Sequence, residues 1–205
     1  MSHNKEIREI LNLSSMSNDS FGTEIDYLNE NYVEKAKKER ELRQRNEARI
    51  LYNQYSSRVS NSDLKRFMNG LPAKSIILQG DSGCGKSSLI EYWMKLGKIY
   101  MYNQRSISEK TLLDDYWYND FGNEKTDEEM FRKLFLFDYI YIDEMFNEKN
   151  WSRKNALHVV GDFIEFIYEK KMKGADAIFI FASNHKIEKY VTEKSIIRKF
   201  YEIVK

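Results

Sequence analysis

Residues 80–87 read Gly-Asp-Ser-Gly-Cys-Gly-Lys-Ser, an unbroken G-x-x-x-x-G-K-[ST] spacing. This stretch constrains the fold more than any other. Its glycines let backbone N–H groups curl around an anion with no Cβ in the way. A helix beginning at the lysine would aim its positive N-terminal end at the same point. The flanks agree with that reading. "SIILQG" (75–80) is a short apolar run ending in glycine, expected to be a buried strand. "KSSLIEYWMKLG" (86–97) sets Leu89, Ile90, Trp93 and Leu96 on one helical face, with Gly97 expected to stop the helix. The competing reading, a glycine turn that happens to spell the motif, does not explain a strand before it and a helix after it. A nucleotide-phosphate cradle made of Gly80, Asp81, Ser82, Gly83, Cys84, Gly85, Lys86, Ser87 and Ser88 is therefore expected. Lys86 would neutralise the β- and γ-phosphates of ATP, and Ser87 would ligate Mg²⁺. Cys84 contributes its backbone more than its sulfur.

The pattern after the single proline, Pro72, alternates strand and helix. Strands are expected at 75–80, 98–102 ("KIYMY"), 137–143 ("FDYIYID") and 177–183 ("AIFIFAS"), with "YEIVK" as a possible last one. Between them, "TLLDDYWYNDF", "TDEEMFRKLF", "SRKNALHVVGDFIEFIYEKKMKG" and "IEKYVTEKSIIRKF" read as mainly helical. Ser152 is the expected N-cap of the long helix, and Gly174 lies just past its end. Such alternation predicts an α/β domain with a mainly parallel sheet covered on both faces.

Two strand ends carry candidate chemistry. "LFDYIYIDEM" runs apolar and then meets Asp143 and Glu144. A carboxylate at a strand tip can hold Mg²⁺, and its neighbour can polarise an attacking water. "FIFASNH" ends in polar residues, and Asn184 is the expected contact to the γ-phosphate or the water, ahead of Ser183 and His185. Arg198, in "SIIRKF", is either an arginine finger for a neighbouring copy or an ordinary solvated helix charge. Lys199 suits the finger role less, lacking the planar guanidinium.

Motif order then suggests a family. The cradle, "YIYIDE", "FIFASN" and "IIRKF" resemble the AAA+ ATPase series of Walker A, Walker B, sensor 1 and arginine finger. Within that class the chain is similar to the DnaC/DnaI-type helicase loaders and the related IstB transposition helpers. The resemblance covers roughly 74–205 and implies a five-stranded sheet gathering Lys86, Ser87, Asp143, Glu144 and Asn184 around one ATP. It also implies head-to-tail self-association, with Arg198 offered to a neighbour. Its partners would be a replicative helicase hexamer and single-stranded DNA. Two departures stand out: no C-terminal lid is expected beyond Arg198, and no cysteine-bearing zinc module precedes the core.

The first 57 residues read as a helical N-terminal appendage, and 58–205 as the ATPase core. Residues 31–57 hold helix formers and no glycine or proline, with sparse apolar positions. Residues 12–23 read as a Ser/Asn-rich loop, and 58–72 as a linker or short helix. Seven basic residues between Lys35 and Arg49 are interleaved with Glu34, Glu39, Glu41 and Glu47, which favours a solvated helix over a phosphate-binding one. Overall, 33 Lys+Arg against 32 Asp+Glu give no net-charge argument for nucleic acid. Tyr100, Tyr102 and Arg105 offer a stacking site for single-stranded DNA, weighed against plain core packing. One cysteine excludes an internal disulfide framework. With no signal-like N-terminus and no long apolar run, a cytoplasmic location without membrane contact is expected. The functional expectation is an ATP-dependent helicase loader. The alternatives are a duplex-binding transposition helper, or a helicase-binding or inhibiting protein that uses nucleotide structurally.

Overall fold

The computed structural model describes residues 18–112, 131–147 and 156–204, with side chains from residue 32. The first contact unit is Met1–Asn46 and the second Glu47–Lys205. Helix α1 is Asn18–Ser56. Within the first unit its residues 32–43 are exposed, and Lys38 pairs with Glu34 one turn earlier at 2.7 Å. The helix also takes in 18–23, part of the stretch read as a loop.

In the second unit, α2 (Ser62–Arg66) and a 3₁₀ turn (Phe67–Asn69) lead to β1 (Ile76–Gln79) and α3 (Lys86–Ile99). Then come β2 (Gln104–Ser108), a 3₁₀ turn (Lys133–Leu136), β3 (Tyr139–Met145), α4 (Ala156–Met172), β4 (Ile178–Ser183), a 3₁₀ turn (Ile187–Lys189) and α5 (Lys194–Ile203). The sheet has the order β1-β4-β3-β2 and every pairing is parallel. All strands therefore end on one edge, where the loops after β1, β3 and β4 meet, as ligand sites of open α/β sheets do.

Side-chain alternation divides the core by face. Tyr139, Tyr141, Ile180 and Ala182 pack with Leu89, Trp93 and Leu96 of α3 and with Leu51 and Tyr55 from the end of α1. Ile140, Ile142, Phe179 and Phe181 pack with Phe163, Ile164 and Ile167 of α4 and Phe200 of α5. Coverage of both faces explains the nearly continuous apolar runs of β3 and β4. Burial pushes the Tyr141 hydroxyl well above the ordinary tyrosine range. The Tyr55 hydroxyl donates to Glu91 and accepts from Lys95 Nζ at 2.6 Å, tying residue 55, within the second unit, to α3. The Tyr55 bond, then Lys95, holds the Glu91 carboxyl below its ordinary 4.5. That contribution is present above the ordinary value and is lost as pH falls through the lowered one.

The sheet corrects the sequence reading in two places and has four strands, not five, among the described residues. "KIYMY" is not a strand. The helix runs through Gly97 to Ile99, and the Tyr100, Met101 and Tyr102 amides close its end on Leu96, Lys98 and Gly97 carbonyls. The edge strand among the described residues, Gln104–Ser108, is mostly polar, with Arg105 and Ser106 exposed and no residue fully buried, so it makes no apolar run. "YEIVK" is not a strand either. Phe200 and Ile203 are buried at a three-residue spacing, the helical period, and α5 continues to Ile203. Gly174 does follow α4, in a left-handed conformation at φ +87°. The readings on 113–130 and on Ser152 lie outside the described residues. Among the described residues no helix is long and apolar enough to cross a membrane.

Gly97 has a packing role in place of the expected helix stop. A Cβ there would lie 2.5 Å from Gln104 Oε1. Gln104 cannot swing away freely, since its Nε2 donates to Met94 O at 2.6 Å and its Oε1 accepts from Tyr141 Oη at 3.2 Å. Gly97→Ala is expected to lower stability by about 1–2 kcal/mol through these hydrogen bonds. Chemical denaturation reads this as an earlier midpoint at unchanged slope.

Candidate functional site

The loop after β1 adopts conformations only glycine takes easily, with Gly80 at φ 155°, Gly83 at 84° and Gly85 at 103°. Gly85 is doubly required. A Cβ there would come within 2.9 Å of the Val59 Cα and 3.2 Å of the Arg58 carbonyl oxygen. The segment joining α1 to α2 is thus laid directly against the cradle. Asn61 N–H donates to Cys84 O at 3.3 Å and Ser60 Oγ to the same oxygen at 3.2 Å. Lys86 is buried, its ammonium donating to Gly80 O at 2.6 Å and Asp81 O at 2.9 Å. Ser87, in the first turn of α3, donates to Asp143 Oδ2 at 3.2 Å.

A cavity of about 250 Å³ opens at this sheet edge. Ser82, Gly83, Gly85, Lys86, Ser87 and Ser88 line it from the cradle, Asp143 and Glu144 from β3, and Ser183 and Asn184 from the end of β4. Three separate stretches of the expected site therefore converge. Gly80, Asp81 and Cys84 are not on its wall; the first two carbonyls hold Lys86, and Cys84 packs its Sγ 3.6 Å from the Lys86 ammonium. Glu144 sits at φ +57°, a left-handed position that a glutamate adopts only under constraint, and its N–H donates to Asp143 Oδ1 at 2.8 Å. Ser183 is buried and works on the backbone, its hydroxyl 2.5 Å from Met145 O and 2.8 Å from His185 O. That leaves Asn184 as the exposed polar tip of the strand.

Arg58 was not anticipated. It lines the same cavity, with its guanidinium 4.9 Å from the Tyr55 ring centroid. No motif marks it, because its place depends on the 58–61 segment lying over the loop. Arg198 lies elsewhere: it is exposed on α5, 3.6 Å from Glu202, and is not among the cavity residues. Its neighbour Lys199 faces inward and pairs with Glu165 of α4 at 2.5 Å. Tyr100, Tyr102 and Arg105 are solvent-accessible around the start of β2, the opposite end of the sheet from the cradle. His158 pairs with Asp162 at 3.3 Å on an exposed part of α4.

The donor set fits ATP and Mg²⁺. Ser87 and Asp143 bring two hard oxygens together, and no group of three or more His, Cys, Asp or Glu converges among the described residues. Mg²⁺ held by one carboxylate, one hydroxyl, phosphates and water needs no larger cage.

Comparison with known proteins agrees with the geometry. A family described as "Protein of unknown function (DUF815)" matches residues 28–99. No curated protein matches the chain. The crystal structure of the DnaC helicase loader is 15% identical over 70% of this chain and 84% of that chain, with a TM-score of 0.51. DnaI is 14% identical over 69% of this chain and 74% of that one, at 0.45. AMPPCP-bound DnaA from Aquifex aeolicus is 14% identical over 68% of this chain, at 0.49, and this chain spans only 42% of that protein. The sheet and its flanking helices thus share the fold of the DnaC helicase loader. The likeness to helicase loaders seen in the sequence holds at the level of that fold.

Proposed function

We propose that this chain is an AAA+ ATPase of the DnaC/DnaI (IstB-like) kind that loads a replicative DNA helicase in the cytoplasm. The observation that carries the ATPase reading is the meeting of Ser87 and Asp143 at 3.2 Å, with Lys86, Glu144 and Asn184 on the walls of one cavity. Cradle N–H groups and Lys86 would hold the phosphates, with Arg58 at the rim of the same cavity. Mg²⁺, when bound through Ser87 and Asp143, would neutralise charge between the β- and γ-phosphates. Glu144 would take a proton from a water held by Asn184 as that water's oxygen bonds the γ-phosphorus. The β–γ bridging bond then breaks, giving ADP and phosphate.

The loader reading adds partners. Residues 1–57 would dock the helicase hexamer, and 58–205 would couple nucleotide state to single-stranded DNA. Arg198 is exposed and free of the cavity of its own chain, which suits an arginine offered to the ATP of a neighbour in a head-to-tail assembly. The test is ATP hydrolysis by the purified protein with and without single-stranded or duplex DNA, beside Arg198→Ala. Stimulation by single strands, lost in Arg198→Ala, is the expected result. Preferential stimulation by duplex would replace the loader with a transposition helper. Nucleotide binding with no turnover under any condition would leave a helicase-binding or inhibiting module.

A further inference from the structure

Glu109 is fully buried, and the chemistry described so far makes no use of it. It follows Ser108, the last residue of β2, which lies opposite Asp143 in the β2–β3 register. Its two carboxylate oxygens accept from two successive backbone amides beyond the catalytic pair: Phe146 N–H at 2.8 Å and Asn147 N–H at 3.1 Å. The turn it grips is unusual. Glu144 and Phe146 both have positive φ, 57° and 61°, and the β3–β4 register shifts between Ile142 and Met145. Such a conformation is strained for a residue with a side chain and persists only where its surroundings over-determine it. Contacts among the described residues do so here. The Phe146 ring is buried 5.4 Å from Phe200, the Ser183 hydroxyl holds Met145 O, and Glu109 holds the two amides.

We infer that Glu109 is a positioning residue for the hydrolytic step, holding the strained turn that presents Glu144 to the cavity. This rests on the ATPase reading above. A carboxylate with two acceptor oxygens suits the task because both of these backbone groups are donors. Glutamine would set its amide N–H₂ against one of the two N–H groups and keep only one acceptor. The base would then be displaced while the cradle, built on other elements, stays intact. A shift of about 1 Å in a reacting group can cost on the order of 100-fold in rate.

Two readouts separate this inference from the reading beneath it. The first is amide hydrogen exchange in the nucleotide-free protein. Glu109→Gln is expected to speed exchange at Phe146 and Asn147 while leaving the α3 amides protected; unchanged exchange at both would overturn the inference whatever the protein does with ATP. The second is kinetic. Glu109→Gln is expected to lower kcat by roughly 10–100-fold with the Kd for a fluorescent ATP analogue within about twofold of wild type. In a Glu144→Gln background the same change should cause little further loss, because the residue acts through Glu144. Equal kcat, or a parallel loss of nucleotide affinity, would contradict it. Glu109→Asp keeps the charge one methylene short and should show the same kcat-selective loss, which guards against a glutamine variant that does not fold. A wild type without hydrolysis would instead overturn the ATPase reading and the kinetic role with it, leaving the exchange result to decide whether Glu109 holds the turn.

Discussion

Glu144→Gln is expected to bind Mg²⁺–ATP as wild type does and to hydrolyse it about 10²–10⁴-fold more slowly, the range set by removing a positioned general base. The separation of the two effects follows from the geometry. The anion-binding elements lie in the loop after β1 and the first turn of α3, where Lys86 and Ser87 are placed. Glu144 stands on a different strand and donates only its backbone N–H, to Asp143 Oδ1. Glutamine keeps that N–H and nearly the same volume but cannot take the proton of water. The check is single-turnover hydrolysis beside equilibrium binding of a fluorescent ATP analogue. Loss of binding and turnover together would place Glu144 in the phosphate site, and unchanged turnover would remove it from the chemistry.

Trp93→Ala is expected to destabilise the second unit by about 3–5 kcal/mol, the cost of emptying a core site of an aromatic this large. Trp93 is wholly buried in the α3-side core. Its Nε1 donates to Gly70 O at 2.8 Å and Phe67 O at 3.1 Å, so the indole also fastens the segment entering β1. Tyr92 adds a parallel tie to Met68 O at 2.8 Å. The alanine variant loses the packing and both hydrogen bonds to that segment. Urea denaturation followed by circular dichroism reads this as a midpoint shift. Trp93→Phe should recover much of the packing but neither hydrogen bond, and so fall between. Equal midpoints for alanine and wild type would mean that the α3 face is not the core described.

Legibility in the sequence followed solvent exposure. β3 and β4 read clearly because both faces are buried, so the change from apolar run to Asp143-Glu144 or Ser183-Asn184 is abrupt. The cradle read clearly because its glycines answer to backbone angles, not to context. β2 was misplaced by six residues because an edge strand needs no apolar run, while the end of α3 happened to supply one in "KIYMY". α5 was cut short because Tyr, Ile and Val favour strands locally, and only the spacing of Phe200 and Ile203 against α4 decides for helix. Arg58 and Glu109 were invisible for a different reason. Each acts on a loop distant in sequence: Arg58 borders the cavity beside residues 82–88, and Glu109 grips amides 37 and 38 positions away.

The central claim is that one Mg²⁺–ATP binds at the edge where Lys86, Ser87 and Asp143 meet. The most direct measurement is a titration of a fluorescent ATP analogue into the purified chain, with Mg²⁺ and with excess EDTA, repeated for Lys86→Ala. The structure predicts saturable one-to-one binding, weakened by EDTA and weakened by at least tenfold in Lys86→Ala. No saturable binding by wild type, or equal binding by Lys86→Ala, would contradict it.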